Sequence, residues 1–252
     1  MAVVTEFIKL KRSPLLWLML FAGILTPLLK GLQLITGSEL ATGTWAWFVA
    51  ESQELFVLFT ITALIVVSVM IFSMEYQYST ASYIFTSSIS RLRIYIAKMT
   101  ALLLMICLMF STAFVAQILF GSLLLPERIS KSLLNHLFLS TLWFIFSYFL
   151  LSFFMVIIPI LTRQFTVSAG VLLSILVLTF PIHYWMYIPY ANPFLTPTVV
   201  TAKMLNTDGY LFGSYYSGIS INLAGIILYL VLLSSVSLTI GIIRFKKMDA
   251  IS

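Results

Sequence analysis

Six long apolar stretches alternate with short polar segments along the chain. Each stretch holds roughly 20 mostly apolar residues, the length that an α-helix needs to cross about 30 Å of hydrocarbon. The pattern predicts an all-α, polytopic membrane protein, and because no internal repeat or linker divides the sequence, residues 1–252 are predicted to form a single transmembrane domain. The predicted spans are residues 15–35, 55–74, 99–119, 137–161, 167–188 and 219–243.

The composition agrees with a membrane-embedded chain. The sequence is 61% hydrophobic and only 9% charged, with a mean hydropathy of +1.09, which leaves too few polar groups to cover a water-facing surface. The single cysteine, Cys107, lies inside the third apolar stretch, so no disulfide forms within these residues. These features exclude a soluble globular domain.

Lys and Arg are divided unequally between the two predicted sides of the membrane. One side collects ten and the other four, and the richer side is normally cytoplasmic. Both termini are therefore predicted to be cytoplasmic, and the net charge of +6 indicates topology, because no basic run is long enough to follow the phosphates of a nucleic acid. The cytoplasmic set is Lys9, Lys11, Arg12, Arg91, Arg93, Lys98, Arg163, Arg244, Lys246 and Lys247, and the outer set is Lys30, Arg128, Lys131 and Lys203.

The amino-terminal residues predict a short amphipathic helix in the lipid headgroup layer. Val3, Phe7 and Leu10 follow i, i+4, i+7 spacing and so share one face of a helix. Ser13-Pro14 then supplies a helix cap and a first-turn proline. A new helix is therefore predicted to begin there and to turn into the bilayer.

Another irregular region precedes the last span. Pro189, Pro193 and Pro197 interrupt regular helix between residues 188 and 218, although the apolar content stays high. Irregular backbone at membrane depth must be buried in protein or line a wet cavity. This region is therefore predicted to form a re-entrant or surface-lying hairpin on the outer side.

Several residues on the outer side are predicted to lie at the membrane interface. Lys30, near the outer end of the first span, is expected to extend its ammonium toward lipid phosphates. The loop at residues 36–54 carries Trp45, Trp47 and Phe48, which are typical of an interfacial aromatic belt or an interfacial half-helix. A substrate-binding role for these rings is the alternative.

The sequence lacks the common motifs of catalysis and energy coupling. No Gly-Lys dipeptide occurs, so the chain has no G-x-x-x-x-G-K-[ST] phosphate loop, and any ATP must bind to another chain. His136 and His183 belong to no H-E-x-x-H motif, and no G-x-S-x-G motif is present. Charged residues are almost absent from the span interiors, whereas ion-coupled carriers usually place them there. The chain is predicted not to be an enzyme and to hold no cofactor or metal.

The segment from Glu75 to Lys98 is the one place where long apolar runs give way to a polar, mostly uncharged connection. Glu75 ends the second predicted span, and residues 80–86 have the length of about two helical turns. An apolar contact patch is predicted there at Tyr83, Ile84 and Phe85. The alternative is a plain cytoplasmic loop.

The residues that follow predict the start of the next helix. Ser90 and its neighbouring serines offer hydroxyl caps. Arg91, Tyr95 and Lys98 fall at i, i+4, i+7, so they are predicted to share one accessible face that meets lipid phosphates or acids on a partner.

This arrangement resembles the membrane subunits, or permeases, of type-2 ABC exporters. That family places an interfacial elbow helix before the first span and a cytoplasmic coupling helix between spans two and three, with a pattern like E-x-x-x-G-T-x-x-x-L-L-x-x-P-x-S-R followed by a Lys. The chain departs from the pattern at Ser79, where Gly is usual, and at Ser88, where Pro is usual. An Asn192-Pro193-Phe194 resembles a motif of the family's re-entrant hairpin between spans five and six. The matching coupling residues are Glu75, Thr80, Tyr83, Ile84, Phe85, Ser90, Arg91 and Lys98, and the matching elbow residues are Glu6, Lys9, Leu10 and Arg12.

The resemblance implies a half-transporter in the bacterial cytoplasmic membrane. Two six-span subunits, either two copies of this chain or this chain with a related permease, would pair. Two separate ATPase subunits, which bind ATP and Mg, would dock against the coupling helices. Among such permeases, the chain resembles bacterial peptide-antibiotic or bacteriocin export and self-protection permeases. The implied cargo is a hydrophobic or amphipathic substrate, such as an antimicrobial or cytolytic peptide, moved outward.

Two other classes of function stay open on the sequence. A non-transport membrane scaffold or sensor partner would need no ATP-dependent movement of a substrate. An ion-coupled carrier or channel would move its substrate on a proton or sodium gradient, and the charge-poor spans disfavour it.

Overall fold

The structure is a computed structural model, and it is all-helical over the residues that it describes. These residues are 2–11, 13–36, 44–77, 90–185, 192–205 and 222–247. They form eight α-helices and no strand, in agreement with the predicted all-α class. The helices are α1 (Ala2–Lys11), α2 (Leu15–Thr36), α3 (Trp45–Gln77), α4 (Arg91–Leu124), α5 (Lys131–Thr162), α6 (Phe165–Trp185), α7 (Thr196–Leu205) and α8 (Leu223–Lys247).

Four of the described helices are long and apolar enough to cross a membrane. They are Leu15–Thr36, Arg91–Leu124, Lys131–Thr162 and Leu223–Phe245. Parts of α3 and α6 form shorter apolar stretches, Phe59–Met74 and Phe165–Thr179. The chain is therefore an integral membrane protein by length and apolarity, and the count of six spans stays a prediction.

Helix α3 lies at the centre of the bundle and contacts α2, α4, α5, α6 and α7. Most of its middle section is buried, with Ile61, Leu64, Ile65, Val67 and Val69 all inaccessible, whereas Phe59 and Thr62 are exposed on the remaining face. An apolar helix face is stable where neighbours cover it. The surrounding helices cover the buried faces, and α8 closes the bundle against α5 and α4.

The turn between α1 and α2 has the predicted caps. The Ser13 hydroxyl accepts a hydrogen bond from the Leu15 amide at 3.1 Å, and the Leu18 amide donates to the Pro14 carbonyl at 2.9 Å. Leu10 of α1 is buried in the main core, whereas Ile8 is 52% exposed. The predicted helix and its capped turn are confirmed, and the location of α1 in a headgroup layer stays a prediction.

Helix α3 begins about ten residues earlier than predicted, so residues 45–54 of the expected loop are helix. Trp45, Phe48 and Val49 follow i, i+3, i+4 spacing and pack with Leu34 of α2 and Leu137 of α5. The prediction of an interfacial belt is wrong for Trp45 and Phe48, because both rings are buried. The Trp45 indole N–H instead donates to the Glu127 carbonyl at 2.7 Å.

The proline-rich region is buried in protein where the structure describes it. Asn192 begins a turn, its Oδ1 accepts a hydrogen bond from the Phe194 amide at 3.0 Å, and its Nδ2 donates to the Leu176 carbonyl of α6 at 3.2 Å. Tyr148 of α5 donates its hydroxyl to the Phe194 carbonyl at 3.1 Å. Hydrogen bonds with the side chains of Asn192 and of Tyr148 thus satisfy the irregular backbone at Phe194, as burial requires. Residues 186–191 and 206–221 lie outside the described part, and the re-entrant hairpin stays a prediction.

Helices α2 and α4 approach each other closely at Gly23. A Cβ placed on Gly23 would lie about 2.5 Å from the Met109 carbonyl oxygen and would also overlap the Thr112 hydroxyl. A backbone carbonyl within a packed helix cannot move aside cheaply, so the two helices would have to separate.

We expect Gly23→Ala to lower the free energy of unfolding by about 1–3 kcal/mol, the range for overpacked cores. The matched control is Gly170→Ala, because a Cβ there meets nothing within 4 Å. We expect the control to raise the free energy of unfolding by about 0.5–1 kcal/mol, the usual gain when Ala replaces Gly within a helix. Titration of the purified protein with denaturing detergent would measure both. Equal stability of the two variants would contradict the close approach of α2 and α4.

Candidate functional site

The candidate site is the end of the bundle where α3 finishes at Gln77 and α4 begins at Arg91. We call it the α3–α4 end. The connecting residues 78–89, which include the whole predicted apolar contact patch, lie outside the described residues. The structure does show how the two helices that carry this connection are joined.

Lys98 joins α3 and α4 directly. Its ammonium donates a hydrogen bond to the Ile71 carbonyl of α3 at 2.6 Å and lies 5.4 Å from the centroid of the Phe72 ring. The side chain is only 1% exposed. A buried ammonium is stable only where hydrogen bonds and polarisable groups replace its hydration. Lys98 therefore fixes the position of α4 against the last two turns of α3.

Aromatic rings extend this contact to the last helix. Phe72 of α3, Tyr95 of α4 and Phe245 of α8 pack edge-on or tilted, with ring centroids 5.6 to 6.4 Å apart. All three are buried. Gly241 lets α8 approach, since a Cβ there would lie 3.1 Å from the Tyr95 hydroxyl oxygen. Three helices thus meet at the α3–α4 end.

The turn between α5 and α6 reaches the same end. The Arg163 guanidinium carbon lies 5.8 Å from the centroid of the Tyr76 ring of α3. Arg163 also caps α5 in the left-handed conformation, with φ 57°, and its amide donates to the Pro159 carbonyl. This position usually holds glycine, because a Cβ costs roughly 1–2 kcal/mol there. The cation–π contact of the Arg163 side chain with Tyr76 offsets part of this cost.

The predicted coupling residues fall into described and undescribed groups. Glu75 is part of α3, one turn after Ile71, although its side chain is not described. Ser90 occupies the N-cap position of α4, as predicted, but its side chain makes no capping hydrogen bond. Arg91 is half-buried at the first position of α4. Thr80, Tyr83, Ile84 and Phe85 lie outside the described residues.

The prediction that Arg91, Tyr95 and Lys98 share an accessible face of α4 is wrong for Tyr95 and Lys98. Tyr95 and Lys98 are 3% and 1% exposed and point into the bundle, away from any lipid or partner surface. The reason is that α3, which extends to Gln77, covers this face of α4. Arg91 lies far enough from that contact to stay partly exposed.

The elbow residues are described in part. Lys9 donates to the Glu6 carboxylate at 2.8 Å, an i, i+3 pair on the surface of α1. Arg12 lies outside the described residues. Helix α1 packs mainly against α4, so it belongs to the α3–α4 end as well.

Basic side chains are concentrated at this end of the bundle. The helix directions follow from contacts such as Lys98 with Ile71 and Phe245 with Phe72, which place the termini of successive helices at alternate ends. Among the residues with described side chains, Lys9, Lys11, Arg91, Arg93, Lys98, Arg163 and Arg244 lie toward the α3–α4 end, and Lys30, Arg128 and Lys131 toward the opposite end. The asymmetry agrees with the division predicted from the sequence.

The sequence analysis missed a buried ion pair toward the opposite end. The Lys30 ammonium of α2 donates to the Glu51 carboxylate of α3 at 2.6 Å, and both side chains are 9% exposed. Lys30 also donates to the Gln33 side chain at 3.0 Å. The expectation that Lys30 extends toward lipid phosphates is therefore wrong. The expectation assumed a loop up to residue 54, whereas residues 45–54 form the first turns of α3 and bring Glu51 beside α2.

An all-helical, apolar bundle with this division of charge is an integral membrane protein. Over residues 2–181 the chain matches the family model described as ABC-2 family transporter protein. This match covers more than half of the chain, so the protein belongs to the ABC-2 transporter family and is a transport permease subunit, the membrane component rather than the catalytic one. No curated protein matches the chain.

Proposed function

We propose that this permease works with a separate ATP-binding subunit that docks against residues 78–89 at the α3–α4 end. The family assignment implies such a partner. The chain itself has no Gly-Lys dipeptide and hence no phosphate loop, so ATP and Mg would bind to the partner. The docking contacts are assigned to Tyr83, Ile84 and Phe85 and to Arg91, the first residue of α4.

The observation that carries this proposal is the hydrogen bond between Lys98 and the Ile71 carbonyl. It joins α3 and α4 within two turns of the connection, at 2.6 Å and without access to water. A helix pair that is fixed at this point moves as a unit. A displacement of residues 78–89 would therefore reach the bundle instead of being absorbed by sliding between the two helices.

The proposed orientation puts the α3–α4 end and both termini in the cytoplasm of a bacterium, where ATP is available. The excess of Lys and Arg at that end supports it, because cytoplasmic loops carry such an excess. Two copies of this chain, or this chain and a related permease, would pair in the membrane.

The proposed cargo is hydrophobic or amphipathic and moves outward, and an antimicrobial or cytolytic peptide is the narrower form of this proposal. Its support is the resemblance to peptide-antibiotic export permeases.

We expect Phe85→Asp and Arg91→Glu to abolish co-purification of an ATP-binding subunit with the tagged permease from membranes in a mild detergent. The aspartate would put a charge into an apolar contact, and the glutamate would reverse a charge at its edge. The matched control for the charge reversal is Arg128→Glu, because Arg128 is exposed near the opposite end. The control should retain the partner, at the same yield of permease.

Retention of the ATP-binding subunit by both site variants would contradict docking at residues 78–89. Absence of any ATP-binding subunit from the unsubstituted protein would instead favour a scaffold or sensor role.

A further inference from the structure

Three consecutive residues of α3 hydrogen-bond with three different helices. Glu51 accepts from Lys30 of α2 at 2.6 Å, the Ser52 hydroxyl accepts from Gln117 of α4 at 2.9 Å, and Gln53 donates to Ser140 of α5 at 3.3 Å. All six side chains are buried. Successive residues of a helix are about 100° apart, so these bonds hold α3 from three directions at one level. We call these six residues the polar layer: Lys30, Glu51, Ser52, Gln53, Gln117 and Ser140.

The polar layer separates two hydrophobic cores. The small core near the opposite end contains Leu34, Trp45, Phe48, Val49, Leu125 and Leu137. The large core, which extends to the α3–α4 end, begins along the same four helices at Ala22, Ile61, Ala113 and Phe144. Along each of the helices α2 to α5, the polar-layer residues lie between the residues that belong to the small core and those that belong to the large core. The layer therefore crosses the whole four-helix group.

The contacts of α3 in the large core differ in kind from its contacts in the polar layer. Between Ile61 and Val69, α3 meets its neighbours mainly through apolar side chains, and the Ser68 hydroxyl donates to the Met155 sulfur at 3.7 Å. Apolar contacts are non-directional and tolerate small tilts. Buried hydrogen bonds and ion pairs have strict geometry and fix register.

We propose that the polar layer is the pivot about which α3 tilts when the α3–α4 end is displaced. This inference rests on the proposed coupling function. From Ser52 to Gln77 there are 25 residues and from Ser52 to Thr44 there are 8, so the two arms are about 37 Å and about 12 Å long. A tilt of about 5° would then move the Gln77 end by about 3 Å and the Thr44 end by only about 1 Å, in opposite directions.

Distances between spin labels on α3 and α5 would test this pivot in the permease co-purified with its ATP-binding subunit. Cys107 is first replaced by Ala. One label pair is Gln77→Cys with Leu161→Cys at the α3–α4 end, and the other is Thr44→Cys with Ser132→Cys at the opposite end; all four positions are exposed. Pulsed electron paramagnetic resonance is recorded without nucleotide and with ATP–Mg under conditions that block hydrolysis.

The pivot predicts that ATP–Mg changes the first distance by about threefold more than the second. Equal changes at both ends would overturn the pivot while leaving the coupling function in place. No change at either end would overturn both. The two results are therefore distinguishable.

Variants of the layer add an independent test. Lys30→Met with Glu51→Leu, and separately Ser52→Ala with Gln117→Leu, remove the hydrogen bonds but keep apolar volume in place. If the layer is the pivot, each double variant should broaden the distribution of distances between the labels at positions 44 and 132. The change of that distance on addition of ATP–Mg should also become more similar to the change between positions 77 and 161. An unchanged second distance in both folded variants would overturn the pivot.

Discussion

Replacing Lys30 by Met alone should lower the free energy of unfolding by about 3–5 kcal/mol, one of the two largest effects of a single substitution that we expect. The substitution leaves the Glu51 carboxylate buried without the ammonium that now lies 2.6 Å away. A buried charge without a partner loses its hydration and gains nothing in return. Denaturing-detergent titration of the purified permease measures the change.

The double variant Lys30→Met with Glu51→Leu is the matched control. It removes both charges and keeps similar volume, and exchange of a buried ion pair for apolar residues is often neutral or stabilising by about 1–4 kcal/mol. The double variant should therefore be more stable than the single one. If the two variants are equally unstable, or the single variant is as stable as the unsubstituted protein, the buried pair is contradicted.

Replacing Asn192 by Leu should cost about 2–4 kcal/mol, because it leaves the buried Phe194 amide and the Leu176 carbonyl each short of a hydrogen bond. Asn192 itself is inaccessible to solvent, so water cannot replace its side chain. The loss should appear both in the unfolding titration and as faster proteolysis of the region around residue 192.

Asn222 supplies the matched control for this prediction. Its Oδ1 accepts a hydrogen bond from the Gly225 amide at 3.2 Å near the start of α8, but the residue is exposed. Asn222→Leu should cost about 1 kcal/mol, the usual loss of a helix cap. An equal cost at both asparagines would show that the Asn192 turn is not held as the structure describes.

The sequence predicted the helices well where apolar runs were continuous. The predicted spans at residues 15–35 and 137–161 lie within α2 and α5, and the Ser13-Pro14 cap was predicted correctly. These features depend on local signals: run length, capping residues and a proline at the first turn.

The beginning of α3 could not be predicted from apolarity, because Glu51, Ser52 and Gln53 interrupt the hydrophobic run. Their partners lie on three other helices, and a hydrogen bond between distant parts of the chain has no local signature. The i, i+3, i+4 spacing of Trp45, Phe48 and Val49 was the one signal that could have extended the helix.

The burial of Lys98 was missed for a related reason. Its spacing with Arg91 and Tyr95 predicts a shared helix face, and that much is a property of α4 alone. Whether such a face meets water, lipid or another helix depends on how far α3 extends. In the structure, α3 extends far enough to cover this face, and its Ile71 carbonyl accepts a hydrogen bond from Lys98.

Site-specific photocrosslinking in intact membranes tests most directly whether residues 78–89 contact an ATP-binding subunit. A photoreactive phenylalanine analogue replaces Phe85, and in a second version it replaces Arg128, which is exposed near the opposite end of the bundle. Docking predicts an adduct with an ATP-binding protein from position 85 and none from position 128. An adduct from position 128 with none from position 85 would contradict the proposed docking and the orientation together.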